Sequence, residues 1–498
     1  MMLPCEKYLA FDLGAESGRA MLGSLRDGRI ALHEAHRFPN VPVQVRDSLY
    51  WDPLRLWQEM KQGLAHVAAQ HGRDLRGIAV DTWGVDFALV DARGDLLSLP
   101  YHYRDKRTDG MLIDLLQQVP ALELYQQVGS AHFSISTLCQ LLALRRQGSP
   151  VLDVAHRLLM MADLFNFWLS GQQATEATAA GTTQFYDQSA RAWRRDLLVR
   201  LGLPPTLPGE LVPSASILGP LLPSVAAEVG LPPVPILVPA CHDTPCAFVA
   251  TPADTSDYTA ISCGTWSVVG GELDEPLLTE DAMNAGYINE TAAGGKVLLA
   301  LNSIGLWPLQ ECRREWRSQG HDWSYADLVE MAGRASSFAA IINPDAGDFL
   351  RLGDMSAKIA AYCRRTGQPP PSDPASTVRS LLEGLALCYR RSIADLDRLT
   401  GRRTRVIHIF GGGARNRLLC QFTADATGCP VVAGPDEATA TANILLQALA
   451  TGSLGSITEV RQVVRRSYTL VEYEPRPGSL WDEAYGRFRA LCASAAGA

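Results

Sequence analysis

Tyr8-Leu9-Ala10-Phe11-Asp12-Leu13-Gly14 runs directly into Ala15-Glu16-Ser17-Gly18-Arg19 near the start of the chain. The run reads as an apolar strand, a tight turn and a second strand over Ala20 to Leu25. Midway along the chain the same device returns. Tyr258-Thr259-Ala260-Ile261-Ser262-Cys263-Gly264 leads into Thr265-Trp266-Ser267 and a strand over Val268 to Leu273. Turns built of Gly, Ser and Thr offer backbone N–H groups and hydroxyls, the donors a polyphosphate needs. Two of them can face each other across a cleft. A single Asp-x-Gly hairpin turn is common and implies nothing more, so the argument rests on what accompanies the pair.

Each half opens with β-hairpins and closes with β-then-α units. In the first half, Asp27-Gly28 and similar turn signals part three short strands into a β-meander. Leu54 to Gln70 carries Leu56, Met60, Leu64 and Val67 at helical spacing. Strands over Gly77 to Val80 and Phe87 to Val90 flank Asp81-Thr82-Trp83-Gly84-Val85-Asp86. From about residue 110 to 200 the pattern is mostly helical, with Asp153 to Leu169 reading as one apolar helix. A strand over Ile236 to Ala240 ends at Cys241-His242-Asp243-Thr244-Pro245. In the second half, Asp373 caps a long helix from about Ala375 to Leu399, with Pro374 at its first position. The strand Val406 to Phe410 then ends in Gly411-Gly412-Gly413, with a helix over Arg417 to Thr427 behind it. A strand at Val431-Val432 and a helix over about Ala438 to Leu449 follow.

The 498 residues exceed one core, and two or three domains are expected: 1–250, 251–465 and a tail 466–498. A composition 47% apolar and 20% charged is that of a globular protein. No apolar run reaches the roughly 18 residues of a membrane span. Met1 to Lys7, with Pro4 and Glu6, lacks the pattern of a signal peptide, so a cytoplasmic location and no membrane partner are expected. A net charge of −8 and a pI near 5.7 argue against a nucleic-acid surface. The eleven cysteines are scattered, with no Cys-x-x-Cys and no zinc-ligand spacing, and read as small buried residues in a reducing compartment. Oligomeric state is left open.

No P-loop and no strand-to-helix Gly-x-Gly-x-x-Gly occurs, so nucleotide binding falls to the hairpin turns. Asp12 is the candidate metal residue, holding Mg²⁺ directly or through water, and Ser17, Gly18 and Arg19 are candidates for phosphate contact. Gly411-Gly412-Gly413 lets a flat ligand such as adenosine approach the backbone, or makes a tight strand-to-helix connection. Asp243 reads either as a helix N-cap or as a general base that deprotonates a sugar hydroxyl during attack on a γ-phosphate. Trp83-Gly84 offers a stacking surface and a close approach for a sugar, or a core-edge turn.

The order of these elements resembles that of the FGGY carbohydrate kinases, over Tyr8 to about Leu449. The runs that carry the likeness are Asp12 to Arg19, Asp81 to Phe87, Tyr103-Arg104-Asp105-x-Arg107-Thr108, His242-Asp243-Thr244, Ser262-x-Gly264-Thr265-Trp266-Ser267, Gly305-Leu306-Trp307 and Gly411-Gly412-Gly413. The resemblance implies an α/β fold of the actin/Hsp70/sugar-kinase (ribonuclease H-like) ATPase type, with two duplicated domains around a cleft. It implies Asp243 as catalytic base, ATP contacts at Ala15, Glu16, Ser17, Gly18, Arg19, Thr265, Gln310 and Gly412, and sugar contacts at Gly84, His242, Asp243, Thr244 and Asn302. The substrates are then a small sugar and ATP with Mg²⁺. The run from Asp81 to Phe87 points, within the family, to members that phosphorylate L-rhamnulose at O1. L-fuculose, L-ribulose or D-xylulose are the alternatives, and a non-catalytic sugar or nucleotide sensor is a third possibility. A chaperone ATPase is disfavoured, because no peptide-binding domain is visible after about residue 465. Two positions depart from the family pattern. Glu16 stands where Ser or Thr is usual, and a carboxylate beside a triphosphate is unfavourable unless it points away. Ala442 stands where relatives often keep Gly.

Overall fold

The computed structural model describes residues 5–350, 353–478 and 480–496. The chain folds into two units, each discontinuous in sequence. The first comprises Met1–Pro252, Glu272–Leu299 and Ala438–Ser467; the second comprises Ala253–Gly271, Ala300–Glu437 and Tyr468–Ala498.

The opening run pairs as expected. Glu6–Leu13 and Ser17–Arg26 form an antiparallel hairpin in which Asp12 lies opposite Arg19, and Arg29–Pro39 extends the meander. These strands belong to a six-stranded sheet in the order Ser216–Pro220, Pro235–Val238, Leu75–Thr82, Glu6–Leu13, Ser17–Arg26, Arg29–Pro39. The three in the middle, Pro235–Val238, Leu75–Thr82 and Glu6–Leu13, run parallel. Parallel strands need crossovers, and the sheet is accordingly covered on both faces. Leu56, Met60, Leu64 and Val67 of helix Pro53–Gln70 are buried with Phe11, Ala20 and Val80 in one core. Gly63 lets that helix come close, since a Cβ there would lie 3.1 Å from Ala20 Cβ. Helix Ala438–Ala450 packs against Glu6–Leu13 and Leu75–Thr82, with Ile444 seated where Gly23 has no side chain.

The second large sheet has seven strands in the order Ile288–Thr291, Val297–Ile304, Trp266–Leu273, Tyr258–Cys263, Val406–Phe410, Val431–Ala433, Val471–Tyr473. Tyr258–Cys263 pairs antiparallel with Trp266–Leu273 and parallel with Val406–Phe410, so the hairpin device recurs. Its core gathers Ile261, Ile407, Ile409, Leu385 and Leu419, with Trp481 and Phe488 of helix Leu480–Ala496. The long helix is Pro374–Thr400, and Asp373 caps it through Ser376 N–H.

The expected helix over Asp153 to Leu169 is a correction. The segment forms a short helix Val151–Val154, a strand Arg157–Met160 and a helix Met161–Ser170. Leu158-Leu159-Met160 is a continuous apolar run that periodicity cannot assign. Antiparallel pairing with Phe87–Val90 decides it as strand. Among the described residues no helix is long and apolar enough to cross a membrane. Eight of the cysteines are buried, as expected of small apolar residues.

Candidate functional site

In the first unit, three carboxylates gather at the C-terminal ends of the three parallel strands. Asp12 and Asp81 are in register on neighbouring strands. The chain leaving Pro235–Val238 adds a bridge between Thr82 and His242, with Thr82 N–H donating to Cys241 O at 2.9 Å. That bridge brings Asp243 to the same end. Crevices beyond the carboxyl ends of parallel strands are where open α/β sheets bind ligands.

Asp243 is not the N-cap its sequence position suggests. His242 occupies the cap and makes no side-chain cap bond, and Asp243 is the first residue of helix Asp243–Val249. Its carboxylate is free to face the crevice, with 31% of the side chain exposed. Thr244 Oγ1 donates to its Oδ1 at 3.2 Å. Desolvation by the surrounding protein, and then the nearby Asp12 carboxylate, push the Asp243 carboxyl up to about 7. Asp81 is fully buried and lifted well above the usual range, by burial first and then by Asp12. Its Oδ2 accepts from Asn443 Nδ2 at 2.6 Å, while Oδ1 has no protein partner among the described residues. Arg19 Nη2 donates to Asp12 Oδ2.

These groups bear on a cation. Asp12, Asp81 and Asp243 crowd like charge that a divalent ion relieves, and Asp81 holds an unsatisfied oxygen. Yet among the described residues no three His, Cys, Asp or Glu side chains form a chelating cluster. A hydrated ion that brings its own ligands is the kind such a donor set would suit, and Asp12 is the residue that would hold it.

The first turn is tighter than a bare row of donors. Gly14 N–H donates to Ser17 O at 3.0 Å, and Asn40 Nδ2 donates to Gly14 O at 2.9 Å. The N–H groups of Ala15 and Glu16 at the tip have no protein partner among the described residues. The Glu16 side chain is exposed, which answers the departure noted above: its carboxylate stands in solvent. Gly18 has a packing reason, since a Cβ there would lie 2.2 Å from Phe38 Cε2.

Trp83 is buried and does not present a sugar-stacking face. It packs on Trp51 with ring centroids 4.1 Å apart. The core-edge reading of this turn is the one observed. Its centre is Asp86, whose Oδ2 accepts from Trp51 Nε1 at 2.6 Å, Trp83 Nε1 at 3.0 Å and Tyr103 N–H at 3.2 Å. Its Oδ1 accepts from Gln140 Nε2 at 2.7 Å. Asp86 N–H donates to Gly84 O at 2.9 Å, closing a three-residue turn around Val85 at φ +66°. A β-branched residue in that region is strained. It is held there by Thr182 Oγ1, which accepts from Val85 N–H, and by Thr137 Oγ1, which donates to Val85 O. The result is Gly84 set against the His242 ring, where a Cβ would lie 3.1 Å from Nε2 and 2.8 Å from Thr182 Cγ2.

Two acidic residues here carried no sequence signal. Glu176 is fully buried. Its Oε2 accepts from Thr178 N–H at 2.9 Å, Ala179 N–H at 3.2 Å, Cys241 N–H at 3.0 Å and the Thr178 hydroxyl, and its Oε1 from Ser214 Oγ at 2.6 Å. Thr178 Oγ1 in turn accepts from His242 N–H at 3.1 Å. One carboxyl thus caps the helix Ala177–Gly181 and anchors the backbone just ahead of Asp243. The second is Glu290, beside His242. Both act across long sequence separations that no local motif reports.

In the second unit, Gly264 N–H donates to Trp266 O at 2.8 Å, and Gly305 and Trp307 N–H both donate to Thr265 O. The turn is thereby tied to the start of helix Trp307–Ser318, which carries Gln310. Asn302 is exposed on the strand Val297–Ile304. Of the three glycines, two are explained by Cys263. A Cβ on Gly411, at φ +76°, would lie 3.2 Å from Cys263 O, and one on Gly413 would lie 2.2 Å from Cys263 Sγ. Gly412 alone faces open space. Thr265, Asn302, Gln310 and Gly412 thus belong to the second unit, and Asp12, Ala15 to Arg19, Gly84 and His242 to Thr244 to the first.

Known proteins resemble this chain in sequence and in fold. The profile of the FGGY family of carbohydrate kinases matches over residues 7–250 for its N-terminal domain and 259–451 for its C-terminal domain. The chain is 38% identical over 484 residues to the rhamnulokinase of Bacteroides thetaiotaomicron, covering 97% of this chain and 99% of that one. It is 36% identical over 473 residues to the rhamnulokinase of Enterococcus faecalis, 94% of each chain. Its fold is similar to ligand-bound xylulose kinase from Lactobacillus acidophilus, with a TM-score of 0.82 at 16% identity over 98% of this chain and 97% of that one. It is similar also to Plasmodium falciparum glycerol kinase with ADP, with a TM-score of 0.78 at 14% identity over 99% and 98%. At such identity the likeness is one of fold, and the fold is that of the actin and sugar-kinase ATPases.

Proposed function

This chain belongs to the FGGY family of carbohydrate kinases, and from that premise we propose that it transfers the γ-phosphoryl group of ATP to O1 of L-rhamnulose, with Asp243 as the general base. The sugar assignment is supported by the rhamnulokinases at 38% and 36% identity over nearly the whole chain. The single observation that carries the base assignment is the carboxylate of Asp243 itself. It stands at the strand ends, partly exposed and uncommitted to helix capping, and desolvation and the nearby Asp12 push it up to about 7. A base poised near the working pH combines availability with proton affinity.

In the reaction, Asp243 takes the proton of the O1 hydroxyl as O1 bonds to the γ-phosphorus. The bond from that phosphorus to the β,γ-bridging oxygen breaks, and ADP leaves. Gly84, His242 and Thr244 of the first unit hold the sugar. The unpartnered N–H groups of Ala15 and Glu16, with Ser17, meet phosphate oxygens, and Arg19 balances the charge of Asp12. Thr265, Gln310 and the open face of Gly412 serve the nucleotide. Mg²⁺, bound with ATP, supplies neutralisation of charge on the phosphates. Catalysis of this kind is mostly positioning and electrostatics, so a base set by buried hydrogen bonds is what the chemistry asks for.

The test is Asp243→Asn. It is expected to lower kcat by about 10²–10⁴ with ATP binding retained in calorimetry. Undiminished turnover in this variant refutes the base assignment.

A further inference from the structure

Glu290 lies on the short strand Ile288–Thr291, whose place is firmly set. Asn289 N–H donates to Gly129 O at 2.9 Å, and its side chain bonds Leu277 and Tyr125. At the end of the strand, a Cβ on Gly181 would lie 2.9 Å from Thr291 Oγ1, so helix Ala177–Gly181 packs directly on it. Strand alternation turns Glu290 to the face opposite Asn289, toward His242.

There, Glu290 Oε2 stands 3.8 Å from His242 Nδ1. Both atoms are sealed from solvent, and neither has a hydrogen-bond partner among the described residues. Two sealed polar atoms without other partners gain by closing on each other, because each otherwise keeps its full desolvation cost. A sub-ångström adjustment makes the bond. Burial raises the Glu290 carboxyl and His242 opposes that shift; in its ionised form the carboxyl accepts only, which places the proton on Nδ1. The opposite tautomer would aim a nitrogen lone pair at the sealed, partnerless Glu290 Oε2, whereas at the other edge of the ring Asp243 Oδ1 already accepts from Thr244 Oγ1 and its side chain is partly exposed. The other edge of the ring, Nε2, lies 3.5 Å from Asp243 Oδ1 and borders the space that Gly84 leaves by having no side chain.

We propose that Glu290 is a positioning residue: it fixes His242 as the Nδ1–H tautomer, so that the bare Nε2 stands beside Asp243 as an acceptor for a second hydroxyl of the sugar. This rests on the sugar site of the proposed function. Burial supports it by holding His242 low, toward the neutral ring, with Glu290 the charge that opposes that shift. The groups that face the pair are Asp243 on one side and each other. A base and a neighbouring acceptor 3.5 Å apart select a substrate with two hydroxyls at matching spacing, which a hydrogen-bonding site discriminates far better than an apolar one.

The test has two arms. In the ¹⁵N-histidine-labelled protein without ligands, two-bond ¹H–¹⁵N spectra, with His242 assigned through His242→Asn, are expected to show a protonated Nδ1 and a bare Nε2. Glu290→Leu is expected to abolish that preference. In steady-state kinetics, Glu290→Leu, which removes the acceptor, is expected to raise the KM for the sugar about ten- to a hundredfold while the KM for ATP is unchanged. An Nε2–H tautomer or an imidazolium in the parent protein overturns the proposal, as does a Glu290→Leu variant with the parental sugar KM. The spectroscopic arm uses no substrate. A failed kinase assignment with the expected tautomer is thereby distinguished from a failed role for Glu290.

Discussion

Replacing Glu176 separates an acceptor role from a charge. The residue is fully buried, and its Oε2 serves three backbone N–H groups, those of Thr178, Ala179 and Cys241. Glu176→Ala strands all three. Each buried donor left unpaired costs about 1–3 kcal/mol, and losing the helix cap is part of that cost rather than an addition to it. The cavity left by the carboxyl admits water that serves some of the donors, so the total settles at roughly 3–5 kcal/mol. Glu176→Gln keeps one oxygen for the three amides and offers its N–H to Ser214 Oγ. Burial raises the pKa of Glu176, so a neutral side chain is tolerated, and the cost is below about 1.5 kcal/mol. Guanidinium unfolding followed by far-UV circular dichroism reads the difference in the midpoint of the first transition. The Ala variant should also lose kcat, because Cys241 and His242 precede Asp243 and lose their anchor. An Ala variant within about 1 kcal/mol of the parent, or a Gln variant as damaged as Ala, refutes the reasoning.

The activity should follow pH as a base with a raised pKa requires. As the proposed base, Asp243 has to be deprotonated, and burial and Asp12 push its carboxyl up to about 7, so kcat/KM is expected to rise with pH through neutrality and to fall tenfold per unit below it; a profile flat down to pH 5 contradicts this. Gly413→Ala places a methyl 2.2 Å from Cys263 Sγ and should cost about 1–3 kcal/mol by overpacking, seen as a lower melting temperature. Gly412→Ala meets nothing within contact and should leave the melting temperature unchanged while raising the KM for ATP. Asn443→Ala removes the 2.6 Å bond to the buried Asp81 and should destabilise by about 1–3 kcal/mol, measured by the same unfolding assay.

The hairpin devices at Gly14 and Gly264 were legible because strand, turn and strand are adjacent in sequence and their pattern is local. Helix Pro53–Gln70 and the cap at Asp373 were legible for the same reason. Arg157–Met160 was not, because only its partner strand distinguishes it from a helix. Asp243 looked like a cap, and His242 took that place because the bridge to Thr82 holds its backbone extended. Trp83 read either as a sugar platform or as a core-edge turn, and the need of Asp86 for indole donors drew it inside. Glu176, Glu290 and Asn443 act over separations of 48 to 362 residues, as in the Asn443–Asp81 bond, and only the folded backbone brings them to the strand ends.

The most direct measurement is a coupled ADP-release assay with MgATP and a panel of ketoses: L-rhamnulose, L-fuculose, L-ribulose and D-xylulose. L-rhamnulose is expected to give the highest kcat/KM, with the product phosphorylated at O1. A kcat/KM for D-xylulose equal to or above that for L-rhamnulose contradicts the assignment.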